Sequence, residues 1–112
     1  MLNSMLIRGG RVIDPANGID RVADILVENG RVAAIGENLC AENGQVIDAS
    51  GCYVCPGFID PHGHIDGHRY TGELSLLQGI TTTVGGNCGF SPLDVKRFFD
   101  TQKAFPIHQA EM

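Results

Sequence analysis

Nowhere in the 112 residues do eighteen apolar positions follow one another, which removes a membrane-spanning helix from consideration. The opening Met1-Leu2-Asn3-Ser4 lacks the basic start and long apolar core of an export signal, so a cytoplasmic location is expected. Positive charge is also scarce. Eight Lys and Arg against thirteen Asp and Glu leave a net charge of −5, and the basic residues are scattered instead of forming a stripe. That balance opposes a nucleic-acid or membrane partner and leaves small molecules as the expected ligands. Four cysteines without an export signal read as thiols or metal ligands rather than a disulfide frame. The length suits one small domain that buries roughly 60–70% of its unfolded surface, and it is too short for a large enzyme.

What is abundant is glycine, 15 residues of it, and this favours short strands and tight turns over a helical bundle. Residues 5 to 55 read as six short strands: 5–8, 11–14, 24–28, 31–36, 45–48 and 53–55. Gly9-Gly10 and Asn29-Gly30 both tolerate the positive φ of a two-residue hairpin. Leu6-Ile7-Arg8-Gly9-Gly10-Arg11-Val12 is echoed by Leu26-Val27-Glu28-Asn29-Gly30-Arg31-Val32, as though one hairpin were built twice. After Pro56 the pattern becomes strand, helix, strand, helix: a strand at 58–61, a helix at 72–78 ended by Gly79, a strand at 81–84, and a second helix opened by Ser91 as cap with Pro92 and Asp94 in its first turn. Leu74, Leu76 and Leu77 are expected on or near one face of the first helix. Such alternation implies parallel strands. The tail from Ala104 is expected to add no further element. Two parallel strands cannot cover each other, so the domain reads as unfinished, with open edges that self-association or further chain must shield.

His62-Gly63-His64 follows Pro56-Gly57-Phe58-Ile59-Asp60-Pro61 directly. Two residues apart on a strand, the imidazoles share one face about 6.6 Å apart along the axis and can converge on one ion, whereas on a helix they would diverge. Cys88, in Gly85-Gly86-Asn87-Cys88-Gly89, again stands where an apolar segment gives way to glycine. Histidine with cysteine suggests zinc.

Pro56-Gly57-Phe58-Ile59-Asp60-Pro61-His62-Gly63-His64 resembles the first barrel strand of the amidohydrolase superfamily. Gln78-Gly79-Ile80-Thr81-Thr82-Thr83 with Gly86-Asn87-Cys88-Gly89-Phe90-Ser91 resembles the D-aminoacylases, or N-acyl-D-amino-acid deacylases, within it. The likeness runs from Leu6 to about Leu93. It implies a mixed fold: residues 1–55 as part of an N-terminal β-sandwich, then residues 56–112 as the first two βα units of a TIM-like (β/α)8 barrel that is incomplete in this chain. It also implies a metal-dependent hydrolase of linear amide bonds, with His62, His64 and Cys88 as zinc ligands on the C-terminal rim and one or two divalent ions in the complete protein. The family's general base, an aspartate from the last barrel strand, and two later histidines have no counterpart here. Asp60 and Asp66 flank the first strand and cannot take that place. The chain alone is therefore expected to be inactive and to associate with itself or with the rest of a barrel.

Other residues invite plainer readings. Cys52 and Cys55 have the spacing of a metal pair but no second pair, and are expected to pack; Cys40 is incidental. His68 and Asp66 lie in the loop after the first strand, where solvent exposure is the commoner state for such groups. His108 is expected to be exposed. Three rivals stand beside the deacylase: a cyclic-amide hydrolase of the dihydroorotase or hydantoinase kind, against which Gly-Asn-Cys-Gly argues, a non-catalytic scaffold that kept the fold, and a free-standing β-rich binding module.

Overall fold

A computed structural model describes residues 4–64, 68–89, 91, 93–101 and 105–111. The chain divides into two units, Met1–Pro56 and Gly57–Met112. The first is one mixed sheet built on β1 (Ser4–Asp14), with β2 (Ile19–Glu28), β3 (Arg31–Gly36), β4 (Gln45–Asp48) and the short β5 (Tyr53–Val54). The order is β3-β2-β1-β4, and β5 shares the free edge of β1 with β4. β1 runs antiparallel to β2 and parallel to β4 and β5.

The hairpin expected at Gly9-Gly10 is absent, because β1 passes straight through it as a bulge. Ile7 pairs with Ile25 and Gly10 with Ala23, so Arg8 and Gly9 together oppose Asp24. Only Gly9 takes a positive φ, 71°, whereas a two-residue hairpin turn of the type seen later needs two such residues. Asn29 at 51° and Gly30 at 74° supply both, and they do form the β2–β3 turn. Asp24, 8% exposed, fixes the bulge by accepting the Gly9 N–H at 2.9 Å and the Leu39 N–H at 3.2 Å. The two copies of the heptapeptide thus fold differently.

The bulge decides which side chains meet. Val12, Ala23 and Ile25 form the buried cluster, with Ile7, Ile19, Val27, Ile35 and Val54 packed on it. Ile7 and Val12 are an odd number of residues apart, yet share that face because the extra residue shifts the alternation. Arg11 is turned to the other face, where it meets Asp20 at 2.7 Å and lies 5.8 Å from the Tyr53 ring centroid. The Arg11 guanidinium holds the Asp20 carboxyl below its ordinary value. Gly10 is needed for close approach, since a Cβ there would stand 2.5 Å from Val54 Cγ2.

The second unit contains β6 (Phe58–Asp60), α1 (Arg69–Leu77), β7 (Ile80–Gly85), α2 (Val95–Thr101) and β8 (His108–Glu111). The three strands are parallel, in the order β6-β7-β8. The expectation of a bare tail is therefore overturned by β8, which pairs with residues 82–85 of β7. Its four residues are too few to show a period of their own. They are brought in by their approach segment: Ile107 is 7% exposed, and Phe105 lies where a Cβ on Gly72 would come within 2.5 Å of its ring.

Both helices depart from their expected limits. α1 begins at Arg69, three residues early, where Arg69 pairs with Glu73 at 2.8 Å, and Gly79 with φ 83° ends it as expected. Its packed residue is Gly72, while Leu74, Leu76 and Leu77 are largely exposed. α2 is capped by Asp94, whose Oδ1 accepts the Arg97 N–H at 2.9 Å, and Ser91 lies too far upstream to serve. Pro92 is outside the described residues.

Gly57 leads into β6 where the strands crowd. A Cβ there would sit 2.2 Å from both branches of the Thr81 side chain and 2.7 Å from its Cβ, so no rotation of Thr81 makes room. Gly57→Ala is expected to lower stability by about 1–3 kcal/mol through forced strand separation. Urea unfolding of the two proteins checks this, and an unchanged midpoint would mean that β6 shifts freely.

Candidate metal centre

β6 ends at Asp60, so His62 and His64 do not share a strand as expected; the chain bends at Pro61 and His62, and the Gly63 N–H still reaches Val84 O at 3.0 Å. Gly63 has no space for a side chain: a Cβ would meet Thr83 Oγ1 at 2.1 Å and Asp60 Oδ2 at 3.1 Å. Between these fixed points the Asp60 carboxylate accepts the His62 N–H at 3.1 Å. Just past the end of the neighbouring strand β7, Gly86 and Gly89 both take φ 80° and close a turn through Gly89 N–H to Gly86 O at 3.2 Å. Cys88 stands inside that turn. Asn87, beside it, donates its side-chain N–H to Pro61 O at 2.7 Å.

His62, His64 and Cys88 are brought together. Their donor atoms all lie within 4.8 Å of one another, with Cys88 Sγ 3.5 Å from His64 Nε2 and the two imidazole centroids 5.4 Å apart. The donor set fits a zinc ion. Bond lengths of about 2.0–2.1 Å to nitrogen and 2.3 Å to sulfur at tetrahedral angles put donors roughly 3.3–3.6 Å apart, so the sulfur–imidazole spacing needs no movement and the rest needs small rotations. All three side chains are exposed. Three protein donors with an open side leave a fourth position for water or substrate, as in catalytic rather than structural zinc sites.

Beneath the triad, Asp60, Thr83 and Gln109 occupy one rung across the three strands. Thr83 is 3% exposed, and its Oγ1 and Gln109 Nε2 are buried without hydrogen-bond partners among the described residues. Buried polar groups are normally paired, so this face is built to meet further polar chemistry and not a dry core.

The remaining candidates stay apart. Cys52 and Cys55 are exposed, against the expectation that they pack, because β5 is a two-residue edge strand; Cys40 is exposed too. His68 is exposed and serves α1 through its carbonyl, which accepts from Thr71 N–H at 3.0 Å and Thr71 Oγ1 at 2.6 Å. Asp66 lies outside the described residues. His108 opens β8 and is exposed as expected. Sequence reasoning passed over Asn87 and the His62 contact of Asp60. The second had a readable signal, since Asp hydrogen-bonds readily to the backbone two residues on.

The sequence pattern of the Amidohydrolase family matches residues 45–105. A dihydroorotase of Geobacter metallireducens (strain ATCC 53774 / DSM 7210 / GS-15) is 53% identical over 86 residues, which cover 74% of this chain and 20% of that protein. A D-aminoacylase crystal structure superposes with a TM-score of 0.80 at 31% identity, over 100% of this chain and 29% of that one. An N-acyl-D-glutamate deacylase from Bordetella bronchiseptica, complexed with zinc and a phosphonate inhibitor that mimics the tetrahedral intermediate, gives 0.75 at 35% identity over the same shares. The chain thus spans about a fifth of the length of the dihydroorotase it matches. With a family match over more than half of its residues and a likeness to the aminoacylase from end to end, this chain belongs to the amidohydrolase family.

Proposed function

We propose that the chain supplies the first metal-binding edge of a zinc-dependent amidohydrolase that cleaves the linear acyl amide of an N-acyl-D-amino acid. The observation that carries this reading is the meeting of the Cys88 thiol with the His62 and His64 imidazoles. The likeness to a D-aminoacylase over the whole chain and the zinc in the related glutamate deacylase support it. A bound zinc ion would supply Lewis acidity toward an amide carbonyl and lower the pKa of water from about 15.7 toward 7. His62 and His64 would hold that ion as neutral imidazoles and Cys88 as a thiolate, with the open side turned to a small amide substrate.

On this reading the β6-α1-β7-α2-β8 run is the beginning of a (β/α)8 barrel, and the five-stranded sheet is part of the accompanying sandwich. Parallel strands are normally covered on both faces, yet Phe58 and Ile59 of β6 are 57% and 67% exposed. Further barrel strands or a second copy of the chain would cover them. The proton acceptor for the attacking water would come from those further strands, since Asp60 is turned to the backbone of His62. No described helix is long and apolar enough to cross a membrane. We place the protein in the cytoplasm, with neither nucleic acid nor membrane as partner.

A second reading is favoured by one observation, the 53% identity to a dihydroorotase: hydrolysis of a cyclic amide. Zinc-loaded protein containing this chain and the complete barrel is expected to release free amino acid from N-acetyl-D-amino acids, and more slowly or not at all to open dihydroorotate or hydantoin. Turnover confined to the ring compounds would replace the first reading by the second. Zinc binding without turnover of either class would favour a non-catalytic scaffold.

A further inference from the structure

We propose that Asp60 and Asn87 form a two-sided clamp on the peptide group between Pro61 and His62, and that this clamp sets the metal affinity of the centre. The two hydrogen bonds described above fall on one planar unit. Its N–H, belonging to His62, is taken by Asp60 Oδ1 at 3.1 Å; its C=O, belonging to Pro61, is taken by Asn87 Nδ2 at 2.7 Å. A planar peptide held at both ends has lost its freedom to rotate, and the ψ of Pro61 and φ of His62 are fixed with it. The position needs such help. β6 ends at Asp60, proline has no N–H to give, and the next rung on β7 is made by Gly63. The Asp60 half alone is an ordinary local turn. The Asn87 half crosses 26 residues of sequence and starts from the neighbour of the thiol ligand. It therefore ties the segment that carries His62 and His64 to the turn that carries Cys88, and the 3.5 Å sulfur–imidazole spacing is held before any ion arrives. Neither residue is a donor in the triad, so both are positioning residues.

The inference rests on the zinc reading, and its test separates the two. Zinc affinity is measured by chelator competition on the full chain and on Asn87→Ala, Asn87→Asp, Asp60→Ala and Asp60→Asn, with cobalt absorption spectra recorded in parallel. Asn87→Asp keeps the size but presents a carboxylate to the Pro61 carbonyl, whereas Asp60→Asn keeps an acceptor for the His62 N–H. Loss of partners that orient metal ligands typically costs about 10–100-fold in affinity. Both Asn87 variants and Asp60→Ala are expected to bind zinc weaker by that factor, with a weakened sulfur-to-cobalt charge-transfer band, while Asp60→Asn stays within about threefold of the parent. Parental affinity and an unchanged band in both Asn87 variants overturn the clamp. So does a loss that appears only together with loss of the metal-free circular-dichroism spectrum, which would assign Asn87 to folding. Failure of the parent chain itself to bind zinc or cobalt would instead remove the zinc reading.

Discussion

On the proposed zinc reading, Cys88→Ser is expected to weaken zinc binding by well over 100-fold, because a hydroxyl is a far poorer donor than a thiolate and even outer partners of a zinc ligand are worth about 10–100-fold. His64→Ala is expected to have an effect of the same order, since its Nε2 is the atom 3.5 Å from the sulfur. The pH dependence has a definite sign. Zinc displaces the proton from the thiol and needs neutral imidazoles, so apparent affinity falls as pH falls and binding releases protons. In Cys88→Ser the thiol's share of that release is lost, and the affinity–pH slope becomes shallower. Isothermal titration in two buffers of different ionisation enthalpy reads both quantities. Equal affinity and equal proton release in parent and Cys88→Ser would show that the sulfur stands near the imidazoles without taking part.

Asp24→Ala is expected to be the second large effect, and it acts on the sheet and not on the centre. The bulge lets β1 carry one residue more than β2 while Ile7 and Val12 keep one face, and Asp24 holds it through the Gly9 and Leu39 N–H groups. Without the carboxylate both part-buried N–H groups lose their acceptor, at about 1–3 kcal/mol each. Domain stability is typically about 5–15 kcal/mol, so the first unit is expected to lose a large part of its stability. Gly9→Ala, which strains one positive φ but keeps both hydrogen bonds, should cost only about 1 kcal/mol. Circular dichroism with urea titration separates them, and an Asp24→Ala variant as stable as Gly9→Ala would mean that the bulge holds without its acceptor.

The same residues show where sequence reasoning succeeds and where it stops. Asn29-Gly30 could be read because asparagine and glycine together announce two positive φ values, and both occur. Gly9-Gly10 could not, since glycine accepts a turn or a bulge equally well. The choice is made by Val54 and Ala49 against Gly10 and by Asp24 beneath Gly9. The two strands bearing the centre were legible because proline, glycine and apolar runs mark their ends. β8 was not, because its place is decided by Ile107 and by Phe105 against Gly72, contacts made from far along the chain. The meeting of His62, His64 and Cys88 followed from the parallel arrangement of neighbours, but not from strand spacing, since both histidines stand past the end of β6 and the chain bends at His62. Asn87 escaped notice because a carboxamide beside a ligand carries no pattern of its own until its acceptor is known.

The three donors fall just past the ends of adjacent strands, β6 and β7, and only 24 residues separate His64 from Cys88. Closure entropy grows slowly with loop length, so bringing these ends together costs little more than a short hairpin does. Contacts so near in sequence form fast compared with pairings that span a whole barrel. The proposed ion-binding edge can therefore take shape as soon as the ribosome has released the turn around Cys88. An ion captured at that moment would stabilise the nascent βαβ unit by mass action, because it binds the folded arrangement and not the open one.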